Sequence, residues 1–235
     1  MKQIRLLLVH GSFHGAWCWD HLIPELATRE VDAYAIELPF TSLADDAAAV
    51  ASAIDEAGCP LIVVGHSYGG AVITLGAGPG DGRHGAAHLV YLAALMTDPS
   101  QPLDLKATPG MTAIQFEEDG MASVDPSKAA QALFHRCPHD LAAWATSKLR
   151  PMPLGDYGST HDQEPVAWQE VPSTYVLCTD DRAVDPSDQR RMATQAGECI
   201  ELDSDHSPFL STISPLADAL ARVVSDVDSA RLGGR

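Results

Sequence analysis

The chain has 235 residues, 46% of them hydrophobic, and a formal net charge of −17. That length and apolar fraction suit one α/β domain with room for an insertion. So acidic a chain lacks the clustered Lys and Arg that nucleic acid or an anionic membrane surface requires, so neither is an expected partner. Five cysteines, Cys18, Cys59, Cys137, Cys178 and Cys199, have spacings that fit neither a zinc site nor a disulfide framework. Reduced thiols in a cytoplasmic protein are expected. The N-terminal apolar run is too short for a secretion signal and lacks a small-residue cleavage site, and no segment is long enough to span a membrane.

In chain order, short and almost continuously apolar runs predict strands at Ile4–Val9, Ala33–Leu38, Leu61–Val64, His88–Leu92, Thr174–Cys178 and Cys199–Leu202. Strands buried on both faces of a parallel sheet have this character. Helical patterns fall between them, at Trp17–Glu30, Ser42–Ala57, Tyr68–Leu75, Pro186–Ala196 and Ser214–Val227. The alternation predicts a doubly wound, mostly parallel sheet of about six strands. From Met96 to Glu170 the rhythm breaks. No good strand is legible there, and helical pieces occur around Ser127–Phe134 and His139–Leu149. A segment of this length is read as a small helical cap, residues 96–170, inserted after the fourth strand between core halves 1–95 and 171–228. The tail, 229–235, reads as disordered.

Gly65-His66-Ser67-Tyr68-Gly69 lies between the apolar run ending at Val64 and the small-residue helix that follows. A serine at the tip of such a strand–turn–helix stands clear of its own backbone, and a Cβ at either glycine would collide with the neighbouring strand or helix. Serine needs a base, and the base an orienting acid. Of ten histidines, His206 lies just beyond the last strand and before the last helix, where the base belongs. Asp180 and Asp181 both stand at the end of the fifth strand; Asp181 is preferred as the acid, with Asp180 the alternative. An oxyanion hole needs two backbone N–H groups aimed at one point. Tyr68, after the nucleophile, and Ser12, in the loop after the first strand, are the candidates. His10 and His14 in that loop are read as structural and not as metal ligands, since no carboxylate or cysteine accompanies them there. Candidate pocket residues are Phe13, Tyr91, Leu95, Met96 and Phe209, with Phe116 and Trp144 from the cap.

His10-Gly11-Ser12-Phe13-His14-Gly15-Ala16-Trp17, Gly65-His66-Ser67-Tyr68-Gly69-Gly70, Cys178-Thr179-Asp180-Asp181-Arg182 and the His206 loop resemble the α/β-hydrolase superfamily. The resemblance is to the branch of small bacterial esterases, plant methyl-ester esterases and hydroxynitrile lyases, and covers both ends of the chain. In that branch the acid is the second acidic residue of a Cys-Thr-acid-Asp run, which implies Asp181. The lyases carry threonine where this chain has Gly11 and lysine where it has Ser207, so lyase chemistry is not expected. The resemblance implies a carboxylic-ester hydrolase that works through an acyl-enzyme on a small-molecule ester, without cofactor or metal. A lyase or cyclase using the same site, and a non-enzymatic binder on the same fold, are the alternatives.

Overall fold

A computed structural model of the chain describes residues 4–78, 85–98, 103–118, 120–153 and 166–233. The first four apolar runs form strands β1 (Arg5–Val9), β2 (Ala33–Ile36), β3 (Leu61–His66) and β4 (Ala86–Leu92). The segment that follows adds three short strands, β5 (Ile114–Phe116), β6 (Met121–Val124) and β7 (Met152–Pro153), before β8 (Ser173–Cys178) and β9 (Glu198–Leu202). Six of these make one parallel sheet in the order β2-β1-β3-β4-β8-β9. Every residue of β3 and β8 is buried, which explains their unbroken apolar character. The chain runs outward from β1 to β2, then returns to place β3 on the other side of β1. The carboxyl ends of β1 and β3 therefore flank the point where strand order reverses, where open α/β sheets bind their ligands.

The helices are α1 (Leu22–Ala27), α2 (Leu43–Ala57), α3 (Tyr68–Gly76), α4 (Pro109–Thr112), α5 (Pro126–Leu133), α6 (His139–Lys148), α7 (Ala167–Glu170), α8 (Pro186–Ala193), α9 (Pro208–Ser211) and α10 (Ile213–Gly233). Ser42 caps α2 by accepting from the Asp45 amide, and Gly58 ends it in the left-handed region. The helix expected over Trp17–Glu30 is instead a 3₁₀ turn at Ala16–Trp19 followed by α1. Pro24 is the reason: mid-helix its ring would strike the carbonyl four residues back, so the helix restarts with Pro24 in its first turn. At the other end, α10 runs past Val227 to Gly233. Residues 229–233 are helical, contrary to the disordered tail expected; they contain no breaker before Gly233, and Arg231 sits favourably near the negative helix end. Residues 234–235 lie outside the described residues, as do 154–165 of the expected cap.

Between β4 and β8 the expectation of helices alone needs correction. β5, β6 and β7 form a separate three-stranded antiparallel sheet. Its strands have two to four residues, too few for periodicity to register. Gly120, at φ 82°, supplies the positive φ of the turn from β5 to β6. Among the described residues no helix is long and apolar enough to cross a membrane.

Candidate active site

Ser67 follows β3 and precedes α3 with φ 52° and ψ −121°, a left-handed conformation that costs a non-glycine residue on the order of 1–3 kcal/mol. Three hydrogen bonds hold it there: the Ser67 amide donates to the Leu92 carbonyl (3.1 Å), and the Ser67 carbonyl accepts from the Leu95 (3.0 Å) and Gly70 (2.9 Å) amides. A Cβ at Gly65 would lie 2.5 Å from the Gly69 carbonyl oxygen, and one at Gly69 2.7 Å from the Val9 and His10 carbonyl oxygens. The close packing of β3, α3 and the end of β1 requires both glycines.

His206 lies between β9 and α9, and its Nδ1 stands 2.7 Å from Asp181 Oδ2. Both side chains are buried. The Asp181 carboxylate is fully occupied. Oδ1 accepts from the Ala183 (2.7 Å) and Val184 (3.0 Å) amides, while Oδ2 accepts from His206 and from Gln189 Nε2 (2.8 Å). Asp180 faces elsewhere, with Oδ2 3.1 Å from His135 Nε2 and a half-exposed side chain. A carboxylate that accepts His206 Nδ1–H fixes the imidazole with Nε2 as its basic nitrogen.

The loop after β1 brings Ser12 beside this pair. His10 donates from Nδ1 to the Gly11 carbonyl (3.0 Å) and accepts the Leu38 amide at Nε2 (3.0 Å). Glu37 Oε1 is 3.7 Å from His10 Nε2, but that nitrogen already accepts an N–H, so the contact is not an ion pair. His14 donates from Nδ1 to the Ser12 carbonyl at 2.7 Å. Burial lowers His10 to a pKa of about 3 and His14 to about 4, and both are neutral at physiological pH. His66 is lowered well below its ordinary value by burial and then by the neighbouring His206 and His14. His206 thus sits among imidazoles that carry no charge. Among the described residues there is no group of three His, Cys, Asp or Glu side chains that could hold a metal ion.

Ser12, His14, Ser67 and His206 open on a cavity of about 140 Å³. Its remaining walls are almost entirely apolar: Phe13, Leu95, Ala183 and Val184 from the core, and Leu105, Gly110, Met111, Ile114, Val124 and Leu133 from the segment between β4 and β8. Five residues expected to line it do not. Tyr91 is fully buried beneath the sheet end, its hydroxyl bonded to Thr74 Oγ1 at 2.9 Å. Met96 is buried just past Leu95, outside the lining. Phe209 packs behind the site against Trp19 (5.1 Å between ring centroids) and His66 (4.9 Å). Trp144 stands edge-on to Trp17 at 5.3 Å, and Phe116 is 77% exposed on the outside of the small sheet. Size and apolarity made all five attractive from sequence, but neither property says which way a side chain faces.

A sequence profile of the alpha/beta hydrolase family matches residues 6–222. The chain belongs to the alpha/beta hydrolase family. It is 30% identical to the alpha/beta hydrolase nvfD of Aspergillus novofumigatus, over 90% of this chain and 92% of that one. A pheophorbidase of Raphanus sativus is 26% identical over 94% of each chain. In fold, the crystal structure of a pyrethroid hydrolase from Sphingobium faniae JZ-2 is similar, with a TM-score of 0.81 at 22% identity, covering 95% of this chain and 98% of that one. By these kinships the protein is an enzyme of the carboxylic-ester hydrolase class.

Sequence reasoning on this hydrolase missed Gln189, on α8. It is wholly buried; Nε2 donates to Asp181 Oδ2 and to the Val184 carbonyl (2.8 Å each), and Oε1 accepts the Cys178 amide at 3.0 Å. Every polar atom of its amide has a partner, and together they tie β8, the Asp181 loop and α8 into one unit. A glutamine in a polar helix carries no signal of this in sequence. His66 likewise carries no signal in sequence beyond its place in the elbow.

Proposed function

We propose that this hydrolase cleaves small to medium hydrophobic carboxylic esters through an acyl-enzyme on Ser67. The observation that carries the reading is the buried His206–Asp181 pair, 2.7 Å apart, with His206 and Ser67 lining one apolar cavity. Ser67 Oγ attacks the ester carbonyl as His206 Nε2 takes its proton. Asp181 holds the imidazole and steadies the positive charge that forms on it. The Ser12 and Tyr68 amides receive the developing oxyanion, Ser12 from the loop after β1 and Tyr68 at the first residue of α3. His206 then returns the proton to the leaving alcohol, and a water activated by the same nitrogen deacylates the enzyme. No step calls for a metal or cofactor.

The cavity supports an uncharged substrate of modest size. Among the described residues its walls offer no Lys, Arg, Asp or Glu to a charged substrate, and 140 Å³ is small for a long acyl chain. Five free cysteines, three of them buried, fit a reducing compartment such as the cytoplasm. The test is Ser67→Ala assayed on a chain-length series of nitrophenyl esters, with fluorophosphonate labelling of the unaltered enzyme. Labelling at Ser67, and turnover lost by several orders of magnitude in a folded variant, are expected. A folded Ser67→Ala enzyme with near-normal turnover would refute the proposal.

A further inference from the structure

Four successive carbonyls, Gly11 to His14, each meet a donor. The first two are served within the loop, by His10 Nδ1 and His14 Nδ1. The last two are served by one residue of the inserted segment: the Arg150 amide donates to the Phe13 carbonyl (2.9 Å) and Arg150 Nε to the His14 carbonyl (3.1 Å). Phe13 between them is strained, at φ 64°, and its amide donates to Met152 Sδ at 3.4 Å. Ser12 therefore sits in a loop whose outgoing half is held from residues 150–152. Among the described residues no backbone acceptor takes the Ser12 amide, and Ser12 is one of the residues that line the cavity.

The same guanidinium reaches the other side of the site. Its Nη2 donates to the Leu38 carbonyl (2.8 Å) and lies 2.5 Å from Glu37 Oε1, and its Cζ sits 4.3 Å from the centre of the Phe40 ring. The Phe40 amide donates to Asp46 Oδ1 (2.9 Å), and Asp46 Oδ2 accepts the Tyr68 hydroxyl (2.7 Å). One side chain thus braces the loop that carries Ser12 and the 37–40 segment, whose Phe40 is linked through Asp46 to the hydroxyl of Tyr68. We propose that Arg150 is a positioning residue of the oxyanion hole, acting on Ser12 directly through the Phe13 and His14 carbonyls and on Tyr68 through Phe40 and Asp46. The inference rests on the reading that the Ser12 and Tyr68 amides hold the oxyanion. Arginine suits the place because its planar fork addresses several acceptors and a ring face at once, which a lysine ammonium cannot.

The experiment compares Arg150→Met, Arg150→Lys and Glu37→Gln with the unaltered enzyme, each scaled to active sites titrated with fluorophosphonate. Two inhibitors are used: a trifluoromethyl ketone, which forms a tetrahedral oxyanion on Ser67, and the matching alcohol, which cannot. Removing a whole oxyanion donor costs about 10²–10³ in turnover, so loosening two is expected to cost about tenfold in kcat for Arg150→Met, with KM within about twofold. The ketone should weaken by the same factor as kcat/KM while the alcohol is unaffected. Arg150→Lys should recover part of the loss, and Glu37→Gln should show the same pattern at a few-fold, which keeps the test open if Arg150→Met does not fold. Unchanged kcat per active site in the variants, or equal weakening of ketone and alcohol, overturns the positioning role. Either result alongside an inactive Ser67→Ala leaves the hydrolase reading standing; an active Ser67→Ala removes that reading first.

Discussion

His66 donates from Nε2 to the carbonyl oxygen of His206 at 2.8 Å, so the residue before Ser67 grips the main chain of His206. The two rings lie 4.6 Å apart. These histidines are 140 residues apart in the chain, yet one hydrogen bond sets the elbow after β3 against the loop after β9. The bond also fixes the His66 tautomer: with Nε2 as donor, Nδ1 carries the lone pair.

Replacing His66 with leucine removes that bond while keeping bulk. Turnover is expected to fall about tenfold, because small displacements of a reacting group cost rate steeply. His66→Gln, which keeps a donor, should retain more activity than His66→Leu. Steady-state kinetics on a short-chain nitrophenyl ester would decide it; equal activity in both variants and the parent enzyme contradicts the role.

The acid is tested by a pair of isosteric changes. Asp181→Asn presents an amide to His206 Nδ1 and favours the wrong tautomer, so a loss on the order of 10³–10⁴ in kcat is expected. Asp180→Asn touches a contact with His135 at the edge of the inserted segment and should leave kcat within about threefold. A reversed order of severity would transfer the role to Asp180.

Acid should weaken the fold well before the carboxylates titrate. His10 and His14 have folded pKa values of about 3 and 4, and His66 is also well below its ordinary value, against about 6.5 in the unfolded chain. Above pH 6.5 neither state binds these protons. Below it the unfolded chain takes up protons that the folded one refuses, so stability drops as pH falls toward 4. Each histidine contributes on the order of 1.4 kcal/mol per pH unit in that window. Urea unfolding midpoints measured from pH 7 to 5 should decline steadily; a flat profile would mean that these rings are not buried neutral.

Substrate choice should follow the walls of the cavity. Leu133→Ala or Met111→Ala enlarges it and should shift relative kcat/KM toward longer acyl chains by roughly tenfold per contact removed. Phe116→Ala and Trp144→Ala, outside the lining, should leave the ester profile as it was. A profile altered by Phe116→Ala but not by Leu133→Ala would invert the assignment of the walls.

The parallel sheet was legible because its inner strands β3 and β8 are buried on both faces, so Leu61–Val64 and Thr174–Cys178 read as unbroken apolar runs. The elbow was legible because Gly65 and Gly69 answer to backbone contacts that no other residue tolerates. The place of His206 between the last strand and the helices that follow it was legible. The small sheet of β5, β6 and β7 was not. Ile114–Phe116, Met121–Val124 and Met152–Pro153 are shorter than any periodic window, and only the Asp119-Gly120 pair in the sequence marks a hairpin. Pocket lining failed for another reason. Phe209 and Leu133 are both apolar and both buried, and the direction each faces is decided by tertiary packing that no local pattern encodes.

Met152 Sδ accepts the amide of Phe13, and this bears on how such enzymes diversify. A covering segment that merely rested on a finished site could be exchanged between relatives like a module. Here residues 150–152 complete the hydrogen bonding of the loop beneath them, so a chimera made by replacing the whole segment between β4 and β8 would strip partners from the loop after β1. Graft boundaries that leave Arg150 and Met152 with the host are the ones compatible with catalysis, and new specificities are most accessible through residues 105–133.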